Sequence, residues 1–182
     1  MVDISEYFQT LKFEIKALLF DWGNTVMKVL PEQNGPMASW SRVVTVEGIK
    51  ETLPLLKDKY QIVLVSNAQD SDRALVRQAL ERVDLARYFD EIFTPQELKE
   101  CKPAPNFYLN ILKQIGAKPE NAIMIGDDYE NDIIAAKQVG LWTIWYNVDQ
   151  KLLQNDGFPY HDAEIADIRE VASVIREKLN LR

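Results

Sequence analysis

Five short apolar runs punctuate this chain: Ala17-Leu18-Leu19-Phe20, Ile62-Val63-Leu64-Val65, Glu91-Ile92-Phe93-Thr94, Ala122-Ile123-Met124-Ile125 and Trp142-Thr143-Ile144-Trp145. Short solid apolarity, without strict alternation, is the pattern of strands covered on both faces. The segments between them read as helices. Glu47 to Lys59 places Ile49, Leu53, Leu55 and Leu56 inward, with Pro54 as an irregularity. Asp70 or Ser71 caps a helix to about Arg82, with Leu75, Val76 and Leu80 inward. Lys102-Pro103-Ala104-Pro105 opens a helix carrying Phe107, Tyr108, Ile111, Leu112 and Ile115, which Gly116 ends. Asn131 to Val139 forms another, ended by Gly140. Ala163-Glu164-Ile165 adds a short edge strand, and Val171, Val174, Ile175 and Leu179 mark a closing helix. Strand–helix alternation of this kind predicts an α/β fold: a three-layer α/β/α, Rossmann-like parallel sheet.

Two segments fall outside that alternation. Ile4, Tyr7, Phe8 and Leu11 share one helical face, which predicts a helical extension within residues 1–13. Residues 26–46 are irregular, with Pro31, Asn34-Gly35-Pro36 and an extended Arg42-Val43-Val44-Thr45-Val46. This stretch reads as a hairpin-like flap, on which Trp40 and Arg42 are candidates to line the mouth of a site. Without repeats or convincing linkers, residues 1–182 read as one domain.

Composition narrows the classes. The net charge of −7 disfavours non-specific binding to nucleic acid or to an anionic membrane. A small phosphorylated substrate remains compatible, because a bound cation reverses the local sign. Cys101 is the only cysteine, so no intrachain disulfide forms and a reducing compartment is expected. A lone cysteine of this kind reads as a small hydrophobe rather than a nucleophile. His161 is the only histidine, which excludes a multi-histidine metal site. No apolar run approaches a membrane span, and the first residues lack the features of a signal peptide, so the expected address is the cytoplasm.

The chemistry gathers at the strand ends. The first strand ends in Asp21, the second in Ser66, the fourth in Asp127 and Asp128, and Lys102 opens the helix between the third and fourth. In a parallel sheet these ends share one edge, where ligands bind. Carboxylates brought together there repel one another unless a cation joins them, and oxygen ligands without His or Cys select a hard ion such as Mg²⁺. A lysine and a hydroxyl supply donors for phosphate oxygens.

Four motifs stand in order: Leu19-Phe20-Asp21-Trp22-Gly23-Asn24-Thr25, Val65-Ser66-Asn67, Lys102-Pro103-Ala104-Pro105 and Ile125-Gly126-Asp127-Asp128-Tyr129-Glu130-Asn131-Asp132-Ile133. Over about residues 15 to 170 the chain resembles the haloacid dehalogenase-like (HAD) superfamily, mostly phosphatases and phosphotransferases. The resemblance implies a phosphomonoester phosphatase with Asp21 as nucleophile, acting through an aspartyl-phosphate. It implies Mg²⁺ held by the carboxylates of Asp21 and Asp127 and the main-chain carbonyl of Gly23. Ser66 and Lys102 would contact the transferring phosphoryl group, with Asn67 beside them in the substrate site. Thr25 and Asp132 would stand behind these groups. Asp128 reads either as a supporting carboxylate or as a solvated loop residue. The substrate is then a phosphorylated small molecule or a phosphoprotein, and a homo-oligomer stays open.

One departure matters. Most phosphatases of this superfamily carry a second Asp two positions after the nucleophile, which protonates the leaving group. Here that position is Gly23. Three explanations stay open: another group substitutes, with Glu47 or a flap residue as candidates; the leaving group needs no proton; or turnover is lost. The last case makes the chain a phosphate-binding or protein-interaction module. Asp-Trp-small-X-Thr also resembles the first motif of phosphonoacetaldehyde hydrolases, which lack that Asp, as haloacid dehalogenases do. Both build a helical cap, and the room here, about 26–46 or between Ser66 and Lys102, implies no full cap domain.

Overall fold

In the computed structural model, residues 14–153 and 159–179 are described. The expected helix within residues 1–13 lies outside them. Six strands form one parallel sheet: β1 (Ala17–Asp21), β2 (Gln61–Val65), β3 (Glu91–Phe93), β4 (Ala122–Gly126), β5 (Trp142–Tyr146) and β6 (Ala163–Ile165). Their order is β3-β2-β1-β4-β5-β6, so the chain reverses direction across the sheet between β1 and β4. The helices are α1 (Ile49–Lys57), α2 (Arg73–Glu81), α3 (Pro95–Leu98), α4 (Pro105–Ile115), α5 (Ala135–Gln138) and α6 (Val171–Val174). The α/β Rossmann-like expectation holds, and its cause is visible in the register. Leu18 and Phe20 point to one face, with α1, α2 and α6. Ala17 and Leu19 point to the other, with α4 and α5. A strand buried on both faces has no polar side to show, hence the solid apolar runs.

Register also aligns the strand ends. Asp21 pairs across from Val65, and Gly126 across from Trp145. Residues just beyond these positions therefore crowd one edge at the reversal of strand order, where two neighbouring crossovers leave the sheet in opposite directions and open a crevice.

Several local expectations need correction. The cap of α2 is Asp72, whose side chain accepts from the Leu75 N–H, not Asp70 or Ser71. Leu55 is exposed, beside Pro54 on the outer side of α1. The segment expected as one helix from Asn131 to Val139 instead begins as a π-helix, Tyr129–Ile134, and tightens into α5 only at Ala135. The flap is not a regular hairpin. It is held by bridges of Met27 to Gly23 and Thr45, and it contains a 3₁₀ turn at Met37–Ser39. Proline lacks the N–H that a ladder needs, and Pro31 and Pro36 fall inside this segment.

What fixes the flap is a side chain with no sequence signature. Arg82, just past α2, donates from Nη1 to the carbonyls of Ala38 at 2.9 Å and Trp40 at 2.7 Å, and more weakly to that of Met37 at 3.4 Å. Trp40 donates from its indole nitrogen to the Gly35 carbonyl at 2.8 Å. Charge-assisted bonds to carbonyls left over by an irregular backbone stabilise a segment that has no ladder of its own.

Candidate active site

The end of β1 delivers Asp21 into a crevice of about 370 Å³, whose walls include Trp22, Met37, Trp40, Ser66 and Asp128. Trp40 thus lines the mouth as expected. Arg42 is exposed, reaches Glu32 at 3.8 Å and takes no part in this cavity. Glu47 lies in the neighbouring cavity instead.

Lys102 is the central cation. Its Nζ contacts Asp21 Oδ1 at 2.5 Å and Asp132 Oδ1 at 2.6 Å, with its side chain 2% exposed. Asn67 holds its backbone: Asn67 Oδ1 accepts from the Lys102 N–H at 2.8 Å, and Asn67 Nδ2 donates to the Lys102 carbonyl at 3.0 Å. The Asn67 amide, expected to contact substrate, is therefore occupied in placing Lys102. Ser66 is buried, and its Oγ accepts from the Ala68 N–H at 3.0 Å, which leaves the hydroxyl proton free to donate.

The loop after β4 supplies the remaining carboxylates. Asp128 caps the π-helix, its Oδ1 accepting from the N–H groups of Glu130 and Asn131. It is exposed and tied into this turn. Those bonds hold its carboxyl below the usual range against the opposing effect of burial. The π-helix returns Asp132 beneath the end of β4. A Cβ on Gly126 would lie 2.1 Å from Asp132 Oδ2, so only glycine admits this approach. Single π turns recur at functional sites because the extra residue re-aims side chains.

Burial raises the pKa of Asp132, with Asp21 pushing the same way and Lys102 opposing. Hydrogen bonding decides its state. Asp132 Oδ1 accepts from Lys102 and Oδ2 from the Asp128 N–H at 3.1 Å, so both oxygens are acceptors and the carboxyl is ionised. Lys102 stays cationic: burial alone would lower its pKa, but Asp132 and Asp21 outweigh burial and raise it.

Asp127 is the third carboxylate. Thr25, fully buried, donates to Asp127 Oδ1 at 3.2 Å, and the Trp145 indole N–H donates to the Asp127 carbonyl at 3.2 Å. Burial first, and then the charge of Asp21, push the Asp127 carboxyl up to about 6. Asp21, Asp127 and Asp132 offer carboxylate oxygens that all lie within 4.8 Å of one another. The donor set is oxygen only. Among the described contacts, Asp21 and Asp127 each keep one oxygen without a protein donor. Such a set fits a hard divalent cation.

A stability prediction follows from Asp127. Its folded-state pKa is raised, so the folded protein holds the proton more tightly than the unfolded chain, and stability falls as pH rises from about 4 to about 6. Asp127→Asn is expected to stabilise the metal-free protein by about 1–2 kcal/mol at pH 7, after discounting for solvent screening, and to give no gain at pH 4. Urea denaturation in chelator at the two pH values checks this. An equal effect at both would contradict the account.

The expected residues Asp21, Gly23, Thr25, Ser66, Asn67, Lys102, Asp127, Asp128 and Asp132 gather in this region, and Cys101 and His161 do not line the cavity. Cys101 is half-buried, and His161 packs with Tyr129 and Trp145. Arg82 and the Trp145 indole belong to no motif. For Trp145 the one signal in the sequence is an indole just past the middle of a strand, facing a polar strand end.

Fold and site together define an open parallel α/β protein with a cationic lysine and three carboxylates at the reversal of its strand order. Residues 4–146, more than half of the chain, match the family described as haloacid dehalogenase-like hydrolase, and the chain belongs to that family. It is 33% identical over 102 residues to N-acylneuraminate-9-phosphatase of Rattus norvegicus, covering 56% of this chain and 40% of that one. It is 30% identical over 135 residues to a phosphorylated carbohydrates phosphatase of Thermotoga maritima, covering 72% of this chain and 60% of that one. The chain thus spans only about half the length of these curated relatives. A solved structure of an uncharacterized protein from Listeria monocytogenes serotype 4b shares the fold, with a TM-score of 0.81 at 24% identity, covering 92% of this chain and all of that one. Among the described residues no helix is long and apolar enough to cross a membrane.

Proposed function

We propose that this chain is a Mg²⁺-dependent phosphomonoesterase acting through an aspartyl-phosphate on Asp21. The observation that carries the reading is the Lys102 ammonium held between Asp21 and Asp132, beside Asp127. Asp21, Asp127 and the Gly23 carbonyl would hold Mg²⁺, which when bound neutralises phosphoryl charge. The Asp21 oxygen without a protein donor attacks phosphorus; the bond from phosphorus to the ester oxygen breaks, and the leaving oxygen takes a proton from water. Lys102 keeps Asp21 ionised and oriented and offers a positive charge to the phosphoryl oxygens. Ser66 Oγ donates its free proton to one of them. Water then hydrolyses the acyl phosphate, releasing phosphate and restoring Asp21. Thr25 and the Asp128–Asp132 pair position these groups rather than touch substrate.

The names of the similar phosphatases support a phosphorylated, polyhydroxylated small molecule as substrate. A screen of metabolite phosphoesters and phosphoproteins, with the Asp21→Asn protein as blank, tests this. Release above that blank only in the presence of Mg²⁺ supports the reading, and none across the panel overturns it.

Gly23 limits which esters react well. A Cβ at this position would approach Val29 Cγ2 to 3.0 Å, so an aspartate there needs Val29 to yield. Gly23→Asp combined with Val29→Ala is expected to raise turnover of alkyl phosphates at least about tenfold over Val29→Ala alone. Aryl phosphates, whose leaving groups need no proton, are expected to change little; general acid catalysis is worth about 10²–10⁴-fold where it is needed. Steady-state kinetics on both ester classes measures this, and equal gains on both would contradict the assigned defect.

A further inference from the structure

A second cavity, of about 530 Å³, adjoins the catalytic one and shares Asn24, Val29 and Asp127 with it. We propose that this cavity holds the leaving group of the substrate, a neutral polyhydroxylated chain or ring, with the Tyr146 hydroxyl as its polar anchor. The assignment rests on the phosphatase reading above and adds the place and chemistry of the alcohol half of the ester.

Tyr146 ends β5, one position beyond the residue that pairs with Gly126, so the sheet itself sets it beside Asp127. The residue is 6% exposed and lines the second cavity, yet its hydroxyl has no hydrogen-bond partner among the described residues. The ring is buried while the hydroxyl itself reaches the space of the cavity, where it can donate to a ligand. Burial, followed by the charges of Asp167, Asp127 and Glu47, raises its pKa, so the group stays protonated and able to donate. Asn24 stands at the junction of the two cavities. Its backbone is left-handed, at φ 58°, and its Oδ1 accepts from the Val29 N–H, which fixes the wall between them.

The charges lining the cavity are mostly spent on one another. Arg169 binds Asp167 at 2.6 Å and reaches Glu47 at 3.6 Å, while Lys151 reaches Asp149 at 3.5 Å. Lys28 has no ion pair among the described residues, but it is exposed. A second phosphate or a carboxylate on the leaving group would meet four acidic residues against three basic ones, so a strongly anionic alcohol is disfavoured. A neutral polyol instead finds donors and acceptors interleaved along the wall, with a fixed phenol beneath them, which is the arrangement hydroxyl groups require.

The test uses the Asp21→Asn protein with Mg²⁺ and calorimetric binding of two ligands, inorganic phosphate and a linear polyol monophosphate. The polyol phosphate is expected to bind about tenfold or more tightly than phosphate. Adding Tyr146→Phe is expected to weaken the polyol phosphate about five- to tenfold and to leave phosphate unchanged. Ala166→Trp, which fills the second cavity from an exposed position, is expected to do the same should Tyr146→Phe perturb folding. Loss of both ligands equally, or no loss with either variant, overturns the subsite while leaving the phosphatase reading intact. Wild-type protein without Mg²⁺-dependent release from an aryl phosphate overturns the phosphatase reading, and the subsite with it.

Discussion

Asp21→Asn is expected to abolish Mg²⁺-dependent release of phosphate from an activated aryl phosphate, by at least about 10⁴-fold, while the protein stays folded. The substitution removes the oxygen proposed to attack phosphorus and half of the charge partnership with Lys102, but keeps the volume and a carbonyl oxygen that still accepts from Lys102 Nζ. Loss of a covalent nucleophile cannot be repaired by neighbours, because Asp127 is held by Thr25 and Asp132 is enclosed by Lys102 and the Asp128 N–H. Stopped assays with and without chelator, alongside a thermal melt, provide the measurement. Residual activity within about tenfold of wild type in a folded variant would remove Asp21 from the role of nucleophile. Equal inactivity of wild type and variant, with phosphate binding retained in both, would instead identify a binding module that keeps the site and has lost turnover.

Lys102→Met has the largest expected effect on stability. The wild-type ammonium is 2% exposed and is sandwiched between Asp21 and an Asp132 side chain that is fully buried. Methionine has similar length and no charge, so it fills the space but leaves two carboxylates facing one another without a cation. Breaking a buried ion pair from one side costs about 3–5 kcal/mol, and that is the loss expected for the metal-free variant at pH 7. The cost is expected to shrink as pH falls, because burial and Asp21 push the Asp132 carboxyl up and it accepts a proton once Lys102 no longer opposes them. It should shrink further in Lys102→Met with Asp132→Asn, which removes the uncompensated charge. Turnover is expected to fall by about 10²–10³-fold, the range for losing one preorganised charge at the reacting group. Denaturant titrations of the single and double variants decide the matter. A single variant within about 1 kcal/mol of wild type would mean that water reaches Lys102.

Much of this site is legible in the order of residues alone. Apolar runs ending abruptly in Asp21, Ser66 and Asp127 require only that the strands be parallel for their ends to meet. The spacing of Asp127 and Asp132 is readable as a motif, but the route by which Asp132 reaches Lys102 is not. That route depends on a π-helix and on the absence of a Cβ at Gly126, neither of which has a periodicity to detect. Asn67 belongs to the site, as its motif implies, and its side chain is clamped to the Lys102 backbone. That clamp spans 35 positions of sequence, beyond the reach of any local pattern. Arg82 lies at the end of a helix that reads as ordinary, and its carbonyl acceptors belong to a flap without pattern.

The sequence by itself determined the layers, the polarity of the sheet edge and the identity of the nucleophile candidate, because burial on two faces and a carboxylate at a strand end are local, patterned demands. It also exposed Gly23 at the position where the motif it resembles mostly carries an aspartate, since one position in a motif is enough to show it. Only the tertiary structure decided how the charges are partnered, what holds the flap, and that a second cavity, with a Tyr146 hydroxyl unpartnered among the described residues, opens beside Asp127. These are contacts between residues far apart in the chain, and they are set by where a folded backbone leaves donors and acceptors unpaired, which no local pattern encodes.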